Sequence, residues 1–125
     1  MTVEDLFGSA GLSPCDPVAW GEPCPEHRKG VYAVVVDSEI VYVGCTKKPL
    51  ARRVREFYRH KYGDKHPHRG GQEVLNMPGS RFVYWCAAEN PTEAESKMLD
   101  AFRNRNGRLP RANRRRGDRA SSVLV

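Results

Sequence analysis

The chain has no long apolar run. Its apolar runs, such as residues 31–36, are far short of the roughly 20 residues a membrane-spanning helix needs. The first twelve residues, MTVEDLFGSAGL, are acidic and lack the apolar core of a secretory signal. The expectation is therefore a cytoplasmic chain with no membrane partner. Cysteine is sparse: Cys15, Cys24, Cys45 and Cys86. Cys45 and Cys86 lie in or beside apolar segments, where a thiol packs as a small hydrophobe. Cys15, Cys24 and His27 have a spacing unlike the usual zinc sites, and no second ligand pair follows them. Loosely packed thiols are expected there rather than a metal.

What the chain does carry is positive charge in two places. Its 125 residues have a net charge of +6, enough chain for one domain with a modest core. Residues 47–69 hold nine Lys and Arg against Glu56 and Asp64, and residues 101–125 hold eight Arg against Asp118. Each block is +7, so the remainder carries −8. Solubility does not require such segregation. A polyanion partner explains it, and nucleic acid is the common one.

Residues 1–28 read as a cap, Pro- and Gly-rich after a short helix over 3–7. The stretch GVYAVVVDSEIVYVGCTKK, residues 30–48, reads as two strands, 30–36 and 40–44. With Asp37, Ser38 and Glu39 as a three-residue turn, Val36 faces Ile40, Tyr32 faces Gly44 and Val34 faces Tyr42. Both tyrosines then share one face of the sheet; a two-residue turn would separate them. Gly44 would leave open space beside the Tyr32 phenol.

Thr46 and Pro49 open a helix that Gly63 closes. Leu50, Val54, Phe57, Tyr58 and Lys61 share one side of it, and Arg52, Arg55 and Arg59 point the other way. Arg53 lies on the border, with His60 further along the same edge. A border arginine can snorkel to water, or be held rigidly with its five donors aimed at a phosphate. Residues 64–80 read as a loop, and 81–88 as a third strand.

A second helix runs from Asn90 and Pro91 to Asn106 and Gly107. Ala94, Met98, Ala101 and Phe102 form its apolar stripe. Glu95 falls inside that arc. Thr92-x-x-Glu95 fits a capping box, but Asn90 as cap with Glu93 three residues later fits the same rules. Glu95 is then left facing inward, where a carboxylate is costly unless paired or bound to metal. The C-terminal residues 114–125 read as a basic tail.

These segments together resemble the GIY-YIG nucleases. Gly30-Val31-Tyr32 and Tyr42-Val43-Gly44 resemble the paired signature, and Leu50-Ala51-Arg52-Arg53 the helix with the phosphate-facing arginine. Glu95-x-x-Met98-Leu99 resembles the segment with the metal-binding glutamate, and Pro110-Arg111-Ala112-Asn113 the closing Pro-x-x-Asn. The resemblance covers residues 29–113. It implies a small three-stranded antiparallel sheet flanked by helices, an α+β fold. It also implies a metal-dependent endonuclease acting on double-stranded or branched DNA with Mg²⁺ or Mn²⁺.

The roles it implies are Tyr32 and Tyr42 over the scissile phosphate, activating the attacking water with Tyr32 as general base or water-positioner and Tyr42 hydrogen-bonded beside it, and Gly44 making room for substrate. Arg53 would bind phosphate, Glu95 the metal, and Asn113 would orient the glutamate or adjacent backbone. Lys47, Lys48, Arg52, Arg55, Arg59, Arg114 and Arg115 would hold the flanking nucleic acid. Three departures stand out. Arg53 is one residue further from Gly44 than the pattern, and the Glu95-to-Asn113 connection is longer. Phe57 replaces the tyrosine or histidine four residues after the arginine, so Tyr58 or His60 would substitute, with His60 on the right edge. Two functional classes compete: the nuclease, and a non-catalytic nucleic-acid-binding module of the same fold. Completeness of the site favours the enzyme. One site per chain means that a double-strand cutter dimerises, joins a larger complex or acts twice.

Overall fold

Alternating valines and tyrosines over residues 30–46 build a hairpin that both faces of the protein use. In the computed structural model, which describes residues 1–59, 73–74 and 76–113 (Arg59 by its backbone alone), β2 spans Gly30–Val36 and β3 spans Glu39–Thr46. With β1 at Val18–Ala19 and β4 at Arg81–Ala87 they form an antiparallel sheet of order β1-β4-β2-β3. The sheet has four strands, not the three expected. The extra strand comes from the N-terminal segment read as a cap. Its two residues, too few to show an alternation, pair Val18 with Val83 and Ala19 with Phe82.

The hairpin reaches the expected pairing by a different route. Asp37 and Ser38 alone form the turn, with φ of 47° and 70°, the left-handed pair that a two-residue hairpin requires. Val36 therefore pairs with Glu39 and Val35 with Ile40, correcting the expected Val36–Ile40 pair. A β-bulge follows: Val34 pairs with Tyr42, leaving Val41 as an extra residue on β3. The bulge undoes the one-residue shift of the turn, so Tyr32 still pairs with Gly44 and both tyrosines share a face.

Every residue of β2 is buried, because helices cover both sides of the sheet. On one side Tyr32, Val34, Val36, Tyr42, Val83 and Trp85 pack with Leu50, Val54 and Phe57 of α2 (Leu50–Arg59). On the other, Val31, Ala33, Val35, Ile40 and Val43 meet Leu6 and Phe7 of α1 (Val3–Gly8) and Ala94, Met98 and Phe102 of α3 (Pro91–Asn106). Thr46 does not open α2. It ends β3, and its hydroxyl accepts from Lys48 N–H at 3.0 Å. The first α2 amides are satisfied from elsewhere: Leu50 N–H donates to the Arg28 carbonyl and Ala51 N–H to that of Glu26. Helix α3 follows its local signals. Asn90 accepts from Glu93 N–H at 3.3 Å, Pro91 opens the helix, and Gly107 closes it at φ 75°.

The free edge of β3 is covered by the chain after α3. Arg111 makes a two-pronged ion pair with Glu39 at 2.9 and 3.1 Å. Asn113 ends a short 3₁₀ turn, Arg111–Asn113, and acts as a one-residue strand: its Oδ1 accepts from Val43 N–H and its Nδ2 donates to the Val43 carbonyl, both at 2.9 Å. The closure of the first helix at Gly63, most of the 64–80 loop and the basic tail lie outside the described residues. No helix among the described residues is long and apolar enough to cross a membrane.

Replacing Asn113 with Ala strands a buried donor and a buried acceptor at Val43. The expected loss is on the order of 2–4 kcal/mol of unfolding free energy, read as a lower urea midpoint at unchanged slope. A midpoint within error of the unsubstituted chain would show that water replaces the amide at this edge.

Candidate active site

The site is built where β3 runs out from under its C-terminal cover. Tyr32 and Tyr42 lie with ring centroids 6.0 Å apart, and Phe57 of α2 packs on both, at 5.5 and 5.0 Å. Phe57 is thus the third member of an aromatic cluster, not a substitute for a polar group. Gly44 is what lets the cluster form. A Cβ there would stand 2.6 Å from Cζ and 2.8 Å from Oη of Tyr32, and 2.8 Å from Tyr42. The expected open space beside the phenol is filled by the phenol itself. Gly44 therefore gives the tyrosine rings the room they occupy.

Both tyrosines are buried, at 1% exposure for Tyr32 and 4% for Tyr42, and only Tyr42 touches the site's cleft. Tyr42 lines a cleft of about 430 Å³ together with Cys45, Thr46, Lys47, Lys48, Arg53 and Thr92. Tyr32 sits behind it, essentially buried. Burial pushes the Tyr32 phenol well above its ordinary pKa; the nearby Tyr42 and Glu95 add to this, and Arg53 opposes it. A hydrogen bond joins the two tyrosine side chains. Tyr32 is therefore a neutral phenol.

Arg53 reaches the cleft from α2. It is half-buried, and its Nε is fully buried with no hydrogen-bond partner among the described residues. A buried guanidinium N–H without a partner is a costly arrangement. Glu95 approaches from α3 on the opposite side of the sheet, buried to 4% exposure and close enough to act on the Tyr32 phenol. Glu93 instead faces solvent, accepting from Asn90 Nδ2 at 3.0 Å and pairing with Lys97 at 3.2 Å.

Among the described residues, no three His, Cys, Asp or Glu side chains converge as a metal group. Cys24 is buried in the α2-side core and Cys15 packs against it, with burial raising both thiols. A hard cation at Glu95 would have one carboxylate oxygen donor from the protein, which fits an ion that keeps several waters.

The structure thus brings Tyr42, Arg53, Lys47 and Lys48 to one cleft, whereas Tyr32 and Glu95 are buried and are not in its lining. Asn113 acts through the backbone between Tyr42 and Gly44. Arg52 and Arg55 are exposed on the outer side of α2. His60, Arg114 and Arg115 lie outside the described residues, as does the Arg59 side chain. Tyr58 is not in the cleft: its hydroxyl donates to the Glu22 carbonyl at 2.8 Å, and burial pushes its pKa up to about 12. The cleft residues that the sequence did not mark as site residues are Cys45, Thr46 and Thr92. The first two follow from β3 continuing to Thr46, and Thr92 from its place at the start of α3.

Two outcomes follow from this packing. Gly44→Ala should cost about 1–3 kcal/mol through forced displacement of the rings, measured by chemical denaturation. Stability should also decline in alkali. Tyr32 and Tyr58 have folded pKa values above the ordinary 10, so their contribution is complete below pH 10 and is lost as pH rises toward the folded values. A 295 nm titration should show these two phenols silent near pH 10 in the folded chain, and Tyr32→Phe should flatten the alkaline decline.

No family model, curated protein or solved structure matches the chain.

Proposed function

We propose that the chain is a metal-dependent endonuclease of the GIY-YIG kind that hydrolyses phosphodiester bonds in DNA. The observation that carries this reading is Arg53: it lines a cleft together with Tyr42, Lys47 and Lys48, and its buried Nε has no hydrogen-bond partner among the described residues. A phosphate oxygen is the partner that this donor set lacks.

Arg53 binds the scissile phosphate and neutralises the charge that builds on it. Lys47 and Lys48 hold the flanking backbone without reading sequence. Tyr42 presents its phenol to the cleft and orients the attacking water. Tyr32, neutral and hydrogen-bonded to Tyr42, fixes that orientation from behind. Tyr32 thereby acts through Tyr42 rather than as a resident tyrosinate base. Glu95 would hold a single Mg²⁺ or Mn²⁺, which when bound supplies Lewis-acid stabilisation of the leaving oxygen. Asn113 keeps the Tyr42–Gly44 backbone in register with the helices.

The alternative is a nucleic-acid-binding module without catalysis. One observation favours it: the raised Tyr32 pKa leaves that phenol without a proton-accepting form near neutrality.

Incubation of plasmid, branched DNA and RNA with Mg²⁺ or Mn²⁺ separates the two. Cleavage by the unsubstituted chain, abolished in Glu95→Ala with DNA binding retained, is the expected result. Glu93→Ala should keep its activity and lose only about 0.5 kcal/mol, the cost of a surface pair. Binding without cleavage in any metal would assign the module instead.

A further inference from the structure

Glu56 has no part in the proposed reaction, yet it stands at the rim of the cleft. Its carboxylate is shared by two cations: Lys48 Nζ at 3.7 Å and Arg52 Nε at 3.4 Å. All three side chains are accessible, at 49%, 57% and 33% exposure for Lys48, Arg52 and Glu56. In the block of residues 47–69, where nine cations meet two acids, Glu56 is the acid that the described rim contains.

Helix stability is a poor reason for its presence. The pair runs from Arg52 to Glu56, basic residue first, the weaker order for an i,i+4 pair. Arg52 also sits in the first turn of α2, where the helix dipole disfavours a cation. An accessible carboxylate held by two phosphate-seeking side chains occupies the position that a backbone phosphate would take.

We propose that Glu56 is a built-in competitor for phosphate, closing Lys48 and Arg52 into an ion-pair triad that nucleic acid must open. This rests on the nucleic-acid reading of the cleft. A polyanion that touches only the rim exchanges one anion for another and gains little. A strand that also reaches the unpartnered Arg53 gains a contact for which Glu56 does not compete. Glu56 thereby weakens loose association with duplex more than productive engagement of the cleft.

The test is a fluorescence-anisotropy titration of a short labelled duplex and a short labelled single strand, between about 50 and 200 mM salt. The proteins are the unsubstituted chain, Glu56→Gln, Lys48→Met with Arg52→Met, and the triple variant, each with its thermal melt. Glu56→Gln should bind duplex about 3- to 10-fold tighter at low salt. That gain should vanish in the Lys48→Met, Arg52→Met background, as a double-mutant cycle requires of a shared interaction. In cleavage, KM should fall without a rise in kcat. Equal affinity of Glu56→Gln, or a gain that persists without Lys48 and Arg52, overturns the proposal and leaves the nuclease reading standing. Absence of salt-sensitive binding by the unsubstituted chain overturns both.

Discussion

Two phenols side by side on a buried sheet face are the constraint from which the rest of the site follows. Each carries a hydroxyl that cannot be left dry and alone without a cost comparable to a lost hydrogen bond, and the pair meets this by bonding to each other. Their rings need a third dimension of space, and only a residue without a side chain opposite Tyr32 gives it, so β3 carries Gly44. They must also face the same way. The two-residue turn at Asp37 and Ser38 would put them on opposite faces, and the extra residue at Val41 restores the match. Phe57 then closes the cluster from α2, which fixes where Arg53, one turn earlier, can reach.

The second consequence concerns the edge of the sheet. An uncovered strand edge invites pairing with another chain. Here residues 108–113 cover β3 with side chains: Arg108 and Arg111 on Glu39, and Asn113 on Val43. Beyond Val43 that cover ends, and the cleft lined by Tyr42, Cys45 and Thr46 begins. The same asparagine therefore guards the edge and sets the backbone between Tyr42 and Gly44. Cations reach this opening from α2 and the β3–α2 turn, while the Glu95 carboxylate of α3 lies buried close to Tyr32, so opposite charges flank the tyrosines from the two faces of one sheet. A site arranged in this way suits a charged ligand laid across the edge, which is the geometric basis of the nuclease reading.

Charge at the rim is balanced differently from charge in the cleft. Lys48 and Arg52 share Glu56 in the open, where screening makes each pair weak. Arg53 has its Nε out of water and no acceptor for it among the described residues. The difference separates side chains that can trade partners cheaply from one that gains substantially when an anion arrives.

Much of this was legible in the chain because it is local. Cap residues, proline and glycine marked α3 at both ends, and the helical period put Glu95 inside its apolar arc while leaving Glu93 outside. Alternation located β2, β3 and β4. The shared face of the tyrosines was read correctly for the wrong reason, since turn length and bulge offset each other and leave the same net register. Tertiary structure alone decided the rest, through contacts between residues far apart in sequence. Val18 against Val83 made the fourth strand, Ala51 on the Glu26 carbonyl capped α2, and Asn113 on Val43 closed the edge. None of these has a local signature, because each depends on two segments whose spacing is set by the packed core. The neutral state of Tyr32 belongs with them. A phenol's pKa follows from how much water the folded chain leaves around it, and no periodicity in the sequence records that quantity.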